Sequence, residues 1–205
     1  MIELIFSTFV FLHFFFIADN QNCFIQDEII IDSDYTFEEA LEGLNIPDAI
    51  KNKLVLIDVE YYSFDNKLHK GQIVIHKSAA KDITEIFGFI RNTKFPVEKV
   101  IPITKYKWSD EASMRDNNTS AFNYRKVAGQ KVLSAHAKGL AIDINPRLNP
   151  HIKRNAIIPS NGSYDETAPG TIIRNSELVS EFRKRGWVWG GAWRSSKDYQ
   201  HFEKK

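Results

Sequence analysis

The sequence predicts a single compact α+β domain in which a central antiparallel sheet is flanked by helices. Three observations support this class: a β-hairpin pattern in the first half of the chain, an amphipathic helix after it, and strand-like sequence near the C-terminus. The length of 205 residues fits one domain with small additions. Hydrophobic residues make up 43% and charged residues 26%, which are ordinary values for a globular protein.

Composition and charge exclude some classes of partner. Lys and Arg number 27 against 26 acidic residues, and the formal net charge is +1. Without an excess of basic residues there is no broad attraction to nucleic acid or to an anionic membrane surface. The single cysteine, Cys23, excludes an intramolecular disulfide, so the fold must rest on its core and its hydrogen bonds.

The N-terminus carries an apolar run over residues 4–18, followed at once by polar residues. This run resembles the central region of an export signal, and it is shorter than the roughly 20 residues that a membrane-spanning helix needs. We predict an export signal or an N-terminal anchor at residues 1–22, with the protein in the periplasm or at the cell surface. A buried N-terminal strand or helix is the alternative. Residues 23–53 are predicted to be a linker with short helices.

Local patterns predict the first elements of the domain. Thr36 and Glu39 form a capping-box pair, which predicts a short helix over residues 37–44. Residues 54–62 and 71–76 are rich in β-branched and aromatic side chains and are separated by turn residues. This arrangement predicts a β-hairpin.

An amphipathic helix is predicted over residues 79–91, because apolar residues recur there at helical spacing after Ser78, a residue suited to capping. Its apolar face is expected to pack inward. The remaining segments are predicted as a strand at 97–106, a polar loop at 109–120, a long surface connection at 146–170, a helix at 177–185 and strand-like sequence at 187–203.

Two histidines and an aspartate stand in short motifs. The segment SAHAKGLAID contains His136 and Asp143, and the segment DYQHFE contains His201. Zinc accepts two imidazoles and one carboxylate, and three protein ligands leave a fourth position open for water or substrate. Zinc makes that water a nucleophile at neutral pH and polarises a scissile carbonyl. We therefore predict one catalytic Zn²⁺ at the sheet, although each ligand taken alone also fits a structural role.

A carboxylate must take the proton of the attacking water, and Asp198 lies three residues before His201. Residues three apart on a straight strand point to opposite faces of the sheet. We therefore predict a bulge or turn at Tyr199 and Gln200 that brings both side chains to the same metal. Asp198 is the predicted general base.

Three blocks of sequence together resemble the M15 family of zinc D-alanyl-D-alanine peptidases, which includes carboxypeptidases and L-alanyl-D-glutamate endopeptidases. These blocks are SAHAKGLAID, GWVWGGAW and DYQHFE, and the resemblance covers about residues 54–203. The family pattern SxHxxGxAxD is met by Ser134, His136, Gly139, Ala141 and Asp143. The resemblance implies zinc ligands at His136, Asp143 and His201 and a catalytic carboxylate at Asp198.

The same resemblance implies that Arg125 binds or polarises the substrate carbonyl, where a fixed guanidinium would stabilise a developing oxyanion. A surface ion pair is the alternative for Arg125. Glu203 is a candidate partner for a ligand imidazole. Four further polar residues are candidate substrate contacts, each with a structural alternative: Ser134, Asn118, Thr119 and Ser120.

The expected protein is a monomeric zinc metallopeptidase at residues 54–205 that hydrolyses stem peptides of bacterial peptidoglycan by attack of a zinc-activated water. Its partners would be the peptidoglycan peptide and, only through an uncleaved N-terminal segment, a membrane. Both carboxypeptidase and endopeptidase activities fit, because Asp198 stands where dipeptidase relatives carry Glu. The alternative is a non-catalytic, zinc-containing module that binds the cell wall or a peptide.

Overall fold

The computed structural model describes residues 28–127, 129–154 and 156–205. The predicted export segment at residues 1–22 and Cys23 lie outside these ranges. Within them, no helix has both the length and the apolar character needed to cross a membrane.

The described residues form four α-helices and eleven strands, with short 3-10 turns between them. The helices are α1 (Asp48–Lys51), α2 (Lys77–Thr93), α3 (Asp110–Arg115) and α4 (Glu177–Lys184). The strands are β1 (Ile30–Ile31), β2 (Leu54–Tyr62), β3 (Leu68–His76), β4 (Lys99–Val100), β5 (Asn118–Thr119), β6 (Ala141–Asp143), β7 (His151–Lys153), β8 (Ala156–Ile158), β9 (Trp187–Trp189), β10 (Lys197–Asp198) and β11 (His201–Lys204). The α+β class is thus confirmed.

The strands are divided among small sheets rather than gathered in one clear central sheet. The predicted hairpin forms β2 and β3, which pair antiparallel along their whole length, and β1 adds in parallel to β3. A second sheet has the antiparallel order β6-β11-β9, and a third has the order β10-β7-β8. β4 and β5 make a parallel pair. The last two three-stranded sheets carry the motifs that the sequence singled out.

A shared hydrophobic core joins the hairpin to the sheet β6-β11-β9. Helix α2 buries one apolar face against the hairpin. This face includes Ile83, Ile86 and Ile90. From the other side, Phe182 of α4 stacks on Phe202 of β11 with ring centroids 3.7 Å apart. Burial of such aromatic pairs stabilises the contact beyond the area it removes from water. The motif strands therefore rest on a fixed base.

The predicted helices mostly formed, with shifted ends. Helix α2 begins at Lys77 and is capped by His76, whose Nδ1 accepts a hydrogen bond from Ser78 N at 3.1 Å. Helix α4 is capped by Ser176, whose Oγ accepts from Val179 N. The helix predicted at residues 37–44 is only a 3-10 turn over Glu39–Leu41.

Three other expectations were wrong in detail. The strand predicted at residues 97–106 ends after Val100, because Pro102 cannot donate to a ladder, and a 3-10 turn over Ile103–Tyr106 follows. The polar loop at 109–120 contains helix α3, which is capped by Ser109. The surface connection at 146–170 contains the hairpin β7–β8.

Candidate metal centre

His136 is presented by a 3-10 turn that leads into β6. The Oγ of Ser134 accepts a hydrogen bond from Ala137 N at 3.0 Å and so closes the start of this turn. The turn ends at Gly139, where φ is +66°, a backbone conformation that glycine adopts more readily than other residues. A Cβ there would also lie 2.7 Å from His76 N, so a side chain has no room. The glycine therefore lets the turn pack directly against the hairpin.

Asp143 and His201 are brought together by strand pairing. Asp143 ends β6, His201 begins β11, and the two residues are direct partners in the antiparallel register. Directly opposite residues in such a pair project from the same face of the sheet. The backbone of Asp143 also exchanges two hydrogen bonds with Ser120 on its other side, which fixes the end of β6.

The three side chains converge on one point. His136 Nε2 lies 3.1 Å from His201 Nδ1, and His201 Nδ1 lies 3.0 Å from Asp143 Oδ1. His136 Nε2 is 3.3 Å from Asp143 Oδ2. One candidate ligand atom from each residue falls within 4.8 Å of the others, and this is the one such group of His, Cys, Asp and Glu found among the described residues. The set could hold a metal ion.

The remaining imidazole nitrogens face acceptors of the protein itself. His136 Nδ1 donates to the carbonyl oxygen of Ala121 at 2.5 Å. His201 Nε2 lies 3.5 Å from Glu203 Oε2, as expected for the candidate partner of a ligand imidazole. Acceptors at these positions fix the ring orientation and leave the other nitrogen free to bind a metal. The contacts of His136 Nδ1 and His201 Nε2 are therefore consistent with metal binding by the opposite nitrogen of each ring.

The electrostatics of the centre favour a cation. Burial alone would raise the pKa of Asp143, but the neighbouring imidazoles of His136 and His201 outweigh it and hold that pKa well below its ordinary value. Burial alone would lower the pKa of His201, whereas hydrogen bonds to Asp143 and Glu203 raise it to about 10. A positive charge, whether a proton or a metal ion, is thus stabilised at this point.

Asp198 lies beside the triad. The chain bends at Tyr199 and Gln200 between β10 and β11, which confirms the predicted interruption of the strand. A Cβ added to Gly190 would lie 2.9 Å from the Cβ of Asp198 and 3.3 Å from the Cβ of His201, so the glycine allows these residues to share one side of the site.

The carboxyl of Asp198 is enclosed. Burial, and then the charge of Asp143, raise its pKa above the ordinary value. Its Oδ1 has no hydrogen-bond partner among the described residues. A buried carboxylate oxygen without a partner is rare in folded proteins and marks a place where a ligand or a water is expected. The residue has the environment of a general base.

An ion pair holds one side of the Arg125 guanidinium. Its Nε forms an ion pair with Asp110 Oδ2, and Asp110 Oδ1 accepts a hydrogen bond from Asn123 Nδ2 at 2.6 Å. The Arg125 side chain keeps 38% of its surface exposed. It is therefore oriented by Asp110 and still accessible from solvent.

The other predicted substrate contacts are placed mostly in the interior. Asn118 is 0% exposed and donates from Nδ2 to Ile101 O and Ser113 Oγ. Thr119 is 0% exposed, and its Oγ1 accepts from Asn145 N at 3.1 Å. Their side chains leave no exposed atom for a substrate and instead hold the loop beside Asp143. Ser120 is only partly buried.

Two residues near the site were missed by the sequence reasoning. His151 lies opposite Asp198 in the register of β7 and β10. The ring of Trp193 packs 5.3 Å, centroid to centroid, from that of His201. His151 has no sequence signal of its own, because it reaches the site only through strand pairing, whereas Trp193 is the last residue of the GWVWGGAW block and was given no role at the site.

A comparison with known families adds an independent observation. Residues 128–204 match the family model of the M15 peptidases that is described as D-alanyl-D-alanine carboxypeptidase. This segment is similar to the M15 peptidases. It contains the three converging residues and Asp198, so the resemblance read from the motifs is confirmed there and supports a peptidase. No curated protein and no solved structure matches the chain.

Proposed function

We propose that the protein is a zinc metallopeptidase that hydrolyses peptide bonds in the stem peptides of bacterial peptidoglycan. One observation carries the proposal: a single nitrogen of His136 and of His201 converges with the carboxylate of Asp143, while each imidazole's second nitrogen faces an acceptor. The three converging residues lie within the segment that matches the peptidase family, and Ala121, whose carbonyl accepts from His136, precedes it.

The donor set fits zinc better than a hard cation. Two imidazoles and one carboxylate suit Zn²⁺, whereas Mg²⁺ and Ca²⁺ are bound mainly by oxygen. His136, Asp143 and His201 would hold the ion. Bound there, zinc would lower the pKa of a water to about 7 and would polarise the carbonyl of the scissile bond.

Asp198 has the role of general base and then of general acid. Its raised pKa, caused first by burial, makes its carboxylate a stronger base than an exposed aspartate. Its Oδ1, which has no partner, accepts a proton from the attacking water. The same oxygen then returns the proton to the leaving amine.

Arg125 is proposed to stabilise the negative charge that develops on the carbonyl oxygen. The ion pair with Asp110 restricts the guanidinium, and its exposed portion remains available to substrate. A donor that is already oriented loses little entropy when the charge appears. Ser120, the partly exposed residue of the three at 118–120, is the proposed additional contact to the peptide.

The expected location follows from the substrate. Peptidoglycan lies outside the inner membrane, and the apolar run at residues 4–18 resembles an export segment. We therefore propose a monomeric enzyme that acts in the periplasm or at the cell surface. Removal of one terminal alanine and cleavage of the L-Ala–D-Glu bond are the two reactions in view.

Digestion of purified muropeptides tests the proposal. Zinc-loaded protein, metal-free protein and the zinc-loaded Asp198→Asn variant are each incubated with the mixture, and the products are weighed by mass spectrometry. Zinc-dependent loss of one alanine identifies a carboxypeptidase, and cleavage after L-alanine identifies an endopeptidase. Tight zinc binding without hydrolysis of any muropeptide contradicts the proposal and favours the non-catalytic binding module.

A further inference from the structure

A second histidine lies against the proposed general base without belonging to the metal centre. In the pairing of β10 with β7, Asp198 is directly opposite His151. His151 Nδ1 lies 3.8 Å from Asp198 Oδ2, and the histidine keeps 24% of its side chain exposed. At this distance the contact is electrostatic, since a hydrogen bond requires a closer approach.

The backbone around this pair holds it in place. Tyr199 N donates to the carbonyl of Pro150, the residue before His151, at 3.4 Å. On its other side β7 pairs with β8, where His151 is opposite Ile158. His151 is thus the central member of a row across a three-stranded sheet, and its position depends on two neighbours. A side chain so placed is suited to orient its partner.

Each residue of the pair also has one polar atom that does not take part in the contact. Asp198 Oδ1 and His151 Nε2 are both enclosed, and neither has a hydrogen-bond partner among the described residues. Buried polar atoms are nearly always paired in folded proteins. Because Oδ2 of Asp198 is the oxygen that faces His151, Oδ1 is left for a water or a ligand.

We propose that His151 is a positioning residue that draws Oδ2 of Asp198 toward β7 and thereby turns Oδ1 toward the reacting water. The proposal rests on the peptidase function argued above.

The surrounding charges favour His151 for this role. Three imidazoles favour the ionised form of Asp198, and two of them, His136 and His201, belong to the metal centre. The nearby Asp143 has the opposite effect. His151 is therefore the imidazole near Asp198 that stays outside the proposed set of metal ligands.

A double-mutant cycle with full-length, zinc-loaded protein tests the proposal. The variants are His151→Phe, Asp198→Asn and the double variant, and hydrolysis of the muropeptide cleaved by the unaltered protein is measured over a range of pH. His151→Asn is the conservative variant, because its amide nitrogen can take the place of Nδ1. Lys153→Ala, an exposed change on the same strand, is the matched control.

We expect His151→Phe to lower kcat about 10-fold or more, with KM and zinc content little changed, as for other residues that orient a reacting group. The acid limb of the kcat profile should move to higher pH, and His151→Asn should recover most of the rate. In the Asp198→Asn background the same change should have almost no further effect, because the two residues act through one another.

Two outcomes overturn the inference and can be told apart. If the unaltered protein hydrolyses muropeptides and His151→Phe leaves kcat and its pH profile unchanged, or lowers kcat equally in the Asp198→Asn background, then the inference alone fails. If the unaltered, zinc-loaded protein hydrolyses no muropeptide, the proposed function fails and the inference fails with it. Zinc content and thermal unfolding of each variant separate these outcomes from a loss of fold.

Discussion

Among the described residues, two clusters combine buried histidine with carboxylates, and they are built in opposite ways. In the metal centre, His136 and His201 each direct one nitrogen to a common point beside Asp143. In the second cluster, which we name the hairpin cluster, His69 Nδ1 is 3.1 Å from Asp32 Oδ1 and its Nε2 is 3.3 Å from Asp65 Oδ1. There the nitrogens diverge, and each faces its own carboxylate.

The two clusters differ in the directions that their imidazole nitrogens face and not in the types of residue that they contain. The hairpin cluster has no nitrogen left for a metal, since both nitrogens of His69 are engaged. Tyr61 adds to it by donating to Asp32, and its own oxygen accepts from Val100 N at 2.9 Å. Burial and the charge of Asp32 raise the pKa of Tyr61, so its hydroxyl stays protonated. This cluster ties β1 to the hairpin.

The largest predicted effect comes from removing one of the proposed metal ligands. Asp143→Ala should abolish zinc binding and reduce hydrolysis by about 10³-fold or more, because the metal contributes several kcal/mol to the transition state. Asp32→Ala, the matched change in the hairpin cluster, should keep one zinc per chain. Metal analysis of both purified variants makes the comparison, and zinc loss from Asp32→Ala would contradict it.

The next effect separates metal binding from proton transfer. Asp198→Asn should keep zinc but lose about 10²-fold or more in kcat, because an amide cannot accept the proton of the attacking water. Turnover measured alongside zinc content provides the check. Undiminished turnover by this variant would remove Asp198 from the mechanism and leave the metal centre untouched.

A change in the hairpin cluster should alter stability and leave chemistry alone. Asp32→Ala removes an acceptor of both His69 and Tyr61 and should lower the free energy of unfolding by about 2 kcal/mol, since buried donors lose their partner. Urea unfolding measures the loss, and kcat per folded molecule should be unchanged. A selective fall in kcat would show that the two clusters communicate.

The smallest effect concerns an exposed ion pair on the same hairpin. Lys70 Nζ lies 2.7 Å from Asp58 Oδ2 and lowers the pKa of Asp58 from its ordinary value of 3.8. A lowered carboxyl pKa stabilises the folded protein at pH values above the ordinary pKa. That stability is lost as the pH falls through the lower pKa of the folded state.

Because both side chains are partly exposed, Asp58→Asn should cost less than about 1 kcal/mol at pH 7. The difference from the unaltered protein should vanish in strong acid, as followed by urea unfolding at several pH values. A difference that persisted in acid would assign the effect to packing and not to charge.

The sequence predicted those parts that local patterns determine. The hairpin, helix α2 and helix α4 follow from periodicity and caps, and the interruption at Tyr199 follows from the need to place Asp198 beside His201. The convergence of the triad agrees with the motifs, although Asp143 and His201 are brought together only by the pairing of β6 with β11.

What could not be predicted depends on pairing between distant segments. The contact of His151 with Asp198 requires the register of β7 against β10, and no spacing in the chain expresses it. The burial of Asn118 and Thr119 is equally a product of tertiary packing, since both side chains bond to backbone far along the chain. Polar residues in a loop were therefore assigned to the substrate before their interior partners were visible.

Titration of zinc into metal-free protein tests the central claim most directly. Bound zinc and the rate of muropeptide hydrolysis are measured in the same samples. The rate should rise with each addition and stop rising at one zinc per chain. Full hydrolysis by the metal-free protein, or a filled zinc site that never yields hydrolysis, would contradict it.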